Sequence, residues 1–63
     1  NDNLVKGETA NIPPALKKEL IGLEENAYGF EAVLPSDKAE LLGSAFLFEL
    51  PTIAQIVIHY IKN

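Results

Sequence analysis

The stretch from Ser44 to Asn63, SAFLFELPTIAQIVIHYIKN, decides the fold, because it can be read as the junction of two helices or as two strands. Thr52-Ile53-Ala54-Gln55 fits a capping box, a hydroxyl at the N-cap and an amide side chain three residues on, so a helix is expected to start at Ile53. Ile53, Ile56, Val57, Tyr60 and Ile61 then recur at helical spacing and form the face expected to meet a core. Gln55, His59 and Lys62 form the polar stripe expected to face solvent. The β-branched run in IVIHYI supports the competing strand reading, since such residues fit a pleated surface. Pro51-Thr52 lacks the glycine or asparagine that a two-residue hairpin connection requires, so the helical period is preferred.

Working back from there, Leu50-Pro51 closes the preceding element, because the residue before a proline is pushed out of the α region. Ser36 or Asp37 can cap a helix over 37–49, with Asp37 and Glu40 in its first turn and Gly43 weakening its middle. Tyr28 to Leu34, YGFEAVL, is expected to be a short extended link closed by Pro35. Pro13 and Pro14 suit the first turn of a helix over 13–27, in which Leu16, Leu20, Leu23 and Ala27 make one apolar stripe. Residues 1–11, NDNLVKGETAN, are polar without a sustained period and are expected to form a flexible arm. The fold class expected is mainly α, a single small three-helix domain over 12–63 with helices at 13–27, 37–49 and 53–62. The alternative is an α+β fold with strands near 28–34, 44–50 and 55–61.

With 63 residues the chain has room for one domain. Folding at this size buries about 60% of the surface, a marginal core. There is no cysteine, hence no disulfide, no thiolate nucleophile and no cysteine-based metal site; the compartment is left open. Nine acids against five lysines give a net charge of −4, which argues against a nucleic-acid partner, since that needs clustered cations to displace counterions. The chain opens on Asn1 and contains no Met, from which a processed or excised N-terminus is expected.

Among chemistry-bearing residues, His59 alone titrates near neutrality when unperturbed, and it has no evident catalytic colleagues. Ser36 and Thr52 read as caps, and neither Thr9 nor Ser44 stands in a nucleophile-elbow context. Glu24 and Glu25 point about 100° apart on a helix and read as a solvated face. Asp37 and Glu40, with Glu31, could make a loose oxygen site, which dipole complementation explains equally well. No enzymatic activity, cofactor or metal is expected from these residues.

Leu47 to Ile61, LFELPTIAQIVIHYI, resembles the start of the last helix in acyl and peptidyl carrier proteins, where a phenylalanine and a Pro-Thr pair precede an amphipathic helix. The resemblance implies a helical fold. It supplies no attachment serine, since no Asp-Ser-Leu type motif stands upstream.

The hydrophobic fraction of 48% and mean hydropathy of +0.10 are high for so small a chain, and Leu41 to Asn63 carries only Glu49 and Lys62 as charged residues. On a helix over 37–49, Leu47 and Phe48 fall outside the core face, and Ile58 lies off the stripe of the last helix. Leu47, Phe48 and Ile58 are therefore the interface candidates. The expected function is that of a small acidic interaction or assembly module, completing its apolar core against a second copy or a larger protein partner. The alternative is a membrane-associated or filament-forming subunit using the apolar back half, 41–61.

Overall fold

The computed structural model describes residues 2–62. A hairpin organises the middle of the chain. The Asn26 side chain accepts a hydrogen bond from the Tyr28 N–H at 2.8 Å, and Asn26 pairs with Gly29 across the two-residue loop Ala27-Tyr28. Gly29 adopts φ +142°, a conformation open to it for want of a Cβ. From this turn run β2 (Ile21–Asn26) and β3 (Gly29–Pro35), antiparallel, with an irregularity between Ile21 and Glu24 that sets one extra residue on β2.

β1 (Asp2–Gly7) pairs antiparallel with β3, Val5 opposite Ala32, and β4 (Leu47–Glu49) pairs antiparallel with the other edge of β1, Phe48 opposite Val5. The order across the sheet is β2-β3-β1-β4. Leu4 and Val5 are both fully buried, as are Ala32, Val33 and Leu34. Successive strand residues point to opposite faces, so both faces of the two inner strands are covered.

One face carries the main core. Val5, Phe30, Ala32 and Leu34 pack there against Leu16, Leu20 and Phe46, with Phe30 and Phe46 edge to face at 5.8 Å between ring centres. The cover on this side includes a single helical turn, α1 (Pro14–Lys17), and residues from the neighbouring connections, Ile12, Leu41 and Leu42. The opposite face carries Leu4, Val33 and Glu31 and is crossed by α2 (Ile53–Lys62), which packs chiefly on β2. The capping box that starts α2 is formed in full. The Gln55 N–H donates to the Thr52 hydroxyl at 3.1 Å, and the Thr52 N–H to the Gln55 side-chain oxygen at 2.8 Å.

The mainly α expectation, three helices at 13–27, 37–49 and 53–62, is therefore corrected to a four-stranded antiparallel sheet with one short helix at its C-terminal end. The expected first helix stops after Lys17 because Ile21 to Asn26 gain a hydrogen-bonded partner in β3, which outweighs the local helical period. Leu16 and Leu20 do share the core, as their spacing suggested, but as a turn and its exit. The expected second helix is a 3-10 segment over Ser36–Leu41, then a connection through Gly43 and the strand β4. The expected arm holds a central strand; Asn1 and Asn63 lie outside the described residues. In the α+β alternative, 28–34 coincides with β3 and 44–50 contains β4, whereas 55–61 is helical. With the sheet, the carrier-like helical fold falls away as well.

Candidate functional site

α2 sits on the sheet with its polar stripe inward. At 100° per residue, Thr52, Gln55, Ile56 and Lys62 lie within about 60° of His59 around the axis, while Val57 and Ile61 lie about 160° from it. His59 is 1% exposed, whereas Ile53 is 82%, Val57 50%, Ile58 51% and Ile61 77% exposed. This reverses the expected orientation for His59, Ile53, Val57 and Ile61, while Ile56, also expected on the core face, does stay half-buried on the sheet side. The physical cause is the polar knot that His59 makes beneath the helix.

That knot depends on Gly22. The residue lies at φ +64°, in the irregular part of β2, and a Cβ there would stand within 2.6 Å of the His59 Cα. Glycine thus lets the helix backbone descend onto the strand, and the imidazole reaches past it. His59 Nδ1 lies 2.7 Å from the Gly22 carbonyl oxygen and Nε2 2.7 Å from Glu31 Oε2. A carbonyl can only accept, so Nδ1 carries a proton and donates it. The half-buried Glu31 side chain, as a carboxylate, likewise can only accept, so forming both bonds takes a proton on each ring nitrogen. Glu24 lies directly opposite Glu31 in register and holds Lys62 at 3.4 Å. Lys6, opposite Glu31 on the other side, makes its ion pair with Glu49 at 3.4 Å instead.

A second tie fixes the outer side of α2. The Tyr60 hydroxyl donates to Asp2 Oδ2 at 3.0 Å, and this hydrogen bond, with slight burial and the nearby negative charge, raises the phenol above its ordinary value near 10. A phenol raised in the folded state contributes stability that is present below the unfolded pKa and lost as pH climbs through the folded value. The Tyr60–Asp2 tie is accordingly expected to hold through neutral pH and open only in strong alkali. In Asp2→Asn the Tyr60 titration, followed by phenolate absorbance, is expected to fall back toward the ordinary value; no change would show that the bond does not form.

Leu47 and Phe48 are 76% and 61% exposed, on opposite faces of β4. Ile58 flanks the outward stripe of α2. Glu24 and Glu25, read as neighbours on a helix, are strand residues facing opposite sides of the sheet. Glu31 gathers with Glu24 and His59 rather than with Asp37 and Glu40. Beside the hairpin an open groove of about 610 Å³ is lined by Lys6, Asn11, Asn26, Tyr28 and Glu31 among others. The link between His59 and β2 was invisible in the sequence, since Gly22 and His59 stand 37 residues apart. Asn26, whose side chain accepts from the Tyr28 N–H, and Gly29 at positive φ were the local turn signals that could have revealed the hairpin.

Comparison with known proteins found no matching family model, no matching curated protein and no matching solved structure. Among the described residues no helix is long and apolar enough to cross a membrane.

Proposed function

We propose that the chain is a self-assembling structural module whose α2 forms a two-fold helix–helix seam with the same helix of a second copy. The observation that carries this reading is the inverted helix, its polar stripe on the sheet and its apolar stripe in water. A surface helix ordinarily turns its apolar stripe to the core. The accessible surface of 4200 Å² is close to the roughly 4,000 Å² expected for this mass, so the chain is as compact as its size allows and the anomaly lies in what the surface is made of.

Two features favour a second copy as the cover. Ile53, Val57 and Ile61 stand at i, i+4 and i+8, a pattern symmetric about Val57, so an antiparallel pair about a two-fold axis sets Val57 on Val57 and Ile53 on Ile61. The stripe is also free of charged side chains, whereas two copies of a chain with net charge −4 repel through most other surfaces. Ala54 lets the helices approach, and Ile58 borders the contact. Such an isologous contact closes at two, which separates it from a filament. At about 1.5 Å per residue, α2 has half the length of a bilayer core, which separates it from a spanning segment. The role proposed is structural rather than enzymatic.

Sedimentation of the full chain across micromolar concentrations tests the reading. A dimer is expected. Val57→Lys, which sets two like charges on the axis at a half-exposed position, is expected to give a folded monomer with an unchanged circular dichroism spectrum. A wild-type chain that stays monomeric into the hundreds of micromolar, or a Val57→Lys variant that dimerises equally well, would contradict it.

A further inference from the structure

We infer that Glu24, Glu31 and His59 form a binding site for a borderline divalent metal ion of the zinc class. The three side chains each offer one donor atom, and these atoms lie within 4.8 Å of one another. Two independent features of the fold point to a cation among them.

The first is the like-charged pair. Glu24 and Glu31 are cross-strand partners on one face of the sheet, an arrangement that repels unless a positive charge stands between. Lys62 reaches Glu24 from α2, while Glu31, whose register lysine is turned to Glu49, meets a positive charge only in a doubly protonated His59 ring, the place a metal ion would take. The second is the set of the imidazole. Nδ1 donates to the Gly22 carbonyl at 2.7 Å, the outer hydrogen bond by which a metal-ligating histidine is usually held in one tautomer and one orientation. Nε2, on a ring 1% exposed, is thereby aimed at Glu31 and its neighbour Glu24. A metal takes the vertex otherwise filled by the Nε2 proton, releasing that proton as it binds.

One imidazole nitrogen and two carboxylate oxygens suit zinc or cobalt, whereas calcium seeks six to eight oxygens. Bond lengths near 2.1 Å at tetrahedral angles set donors about 3.4 Å apart, so the Glu31 carboxylate withdraws from Nε2 by roughly 0.7 Å from its present 2.7 Å. Glu31 is 29% and Glu24 49% exposed, leaving a solvent side for a fourth ligand, which water supplies. Lys62 competes with the metal for Glu24.

The test uses the full chain freed of metal with a chelator, titrated with Zn²⁺ and with Co²⁺, and with Mg²⁺ as the hard-cation control. One Zn²⁺ per chain is expected, with an unfolding midpoint raised by about 10 °C or more at a hundredfold excess over Kd. Co²⁺ is expected to show the strong visible absorption of a tetrahedral ion, and Mg²⁺ no effect. Glu24→Gln, at a half-exposed position that leaves the folded chain intact, is expected to weaken Zn²⁺ at least about tenfold, and Lys62→Gln to tighten it. Absence of saturable binding, or equal affinity in Glu24→Gln and wild type, would overturn the site. The dimer seam lies on the far side of α2, so failure here leaves the assembly reading standing.

Discussion

Gly22→Ala is expected to remove most of the stability of this protein, at a cost above about 3 kcal/mol. A side chain at φ +64° costs about 1–2 kcal/mol by itself. The added Cβ would also fall on the His59 carbonyl group, which is helix backbone and cannot rotate away. α2 must therefore lift from β2, breaking both imidazole hydrogen bonds. A domain of this length holds only about 3–9 kcal/mol in total, so loss of a cooperative urea transition is the result to look for. Gly43→Ala supplies the contrast, since a Cβ there meets nothing within 4 Å, and it should leave the transition midpoint near wild type. If both alanine variants unfold at the same denaturant concentration, α2 does not descend onto β2 at Gly22.

His59→Leu is expected to cost about 2–5 kcal/mol when measured in chelator. It keeps much of the buried volume but leaves the Gly22 carbonyl and the Glu31 carboxylate without their donor. The informative comparison is the double variant His59→Leu/Glu31→Leu. Removing both partners of a buried pair is often nearly neutral, whereas removing one strands a charge, so the double variant should recover part of the stability lost in the single. Strict additivity of the two losses would mean that the imidazole and the carboxylate do not interact.

The helix α2 was legible because its information is local. Thr52 and Gln55 announce its start three residues apart, and both of their reciprocal hydrogen bonds form. The sheet was not, because its information is distant and its local signals conflict. Leu16, Leu20 and Leu23 keep a helical period, yet Leu23 belongs to a strand whose partner lies beyond the Asn26–Gly29 turn. Leu4-Val5, two apolar residues in a polar arm, look like a weak anchor until both faces of the sheet are seen to be covered. The inversion of α2 was the least legible feature. Amphipathic reasoning turns the isoleucines inward, and nothing local to His59 reveals that a glycine 37 residues earlier offers it a carbonyl, or that Glu31 offers it a carboxylate. Leu47, Phe48 and Ile58 are surplus apolar residues on the helices that the sequence alone suggests. All three are exposed, two of them on a strand instead, and Ile53, Val57 and Ile61, assigned to the core, form the larger outward stripe.

In the proposed dimer Val57 marks the two-fold axis of the helix pair, and the absence of cysteine from the chain makes that directly measurable. Helix axes about 10 Å apart, the wide end of the usual range, place facing Cα atoms about 5 Å apart, within the 4.4–6.8 Å that a disulfide spans. Val57→Cys, oxidised at micromolar protein, is expected to convert to a covalent dimer far faster than Tyr28→Cys, whose side chain is 94% exposed and away from α2. Comparable rates for the two variants, or no dimer from Val57→Cys, would contradict it.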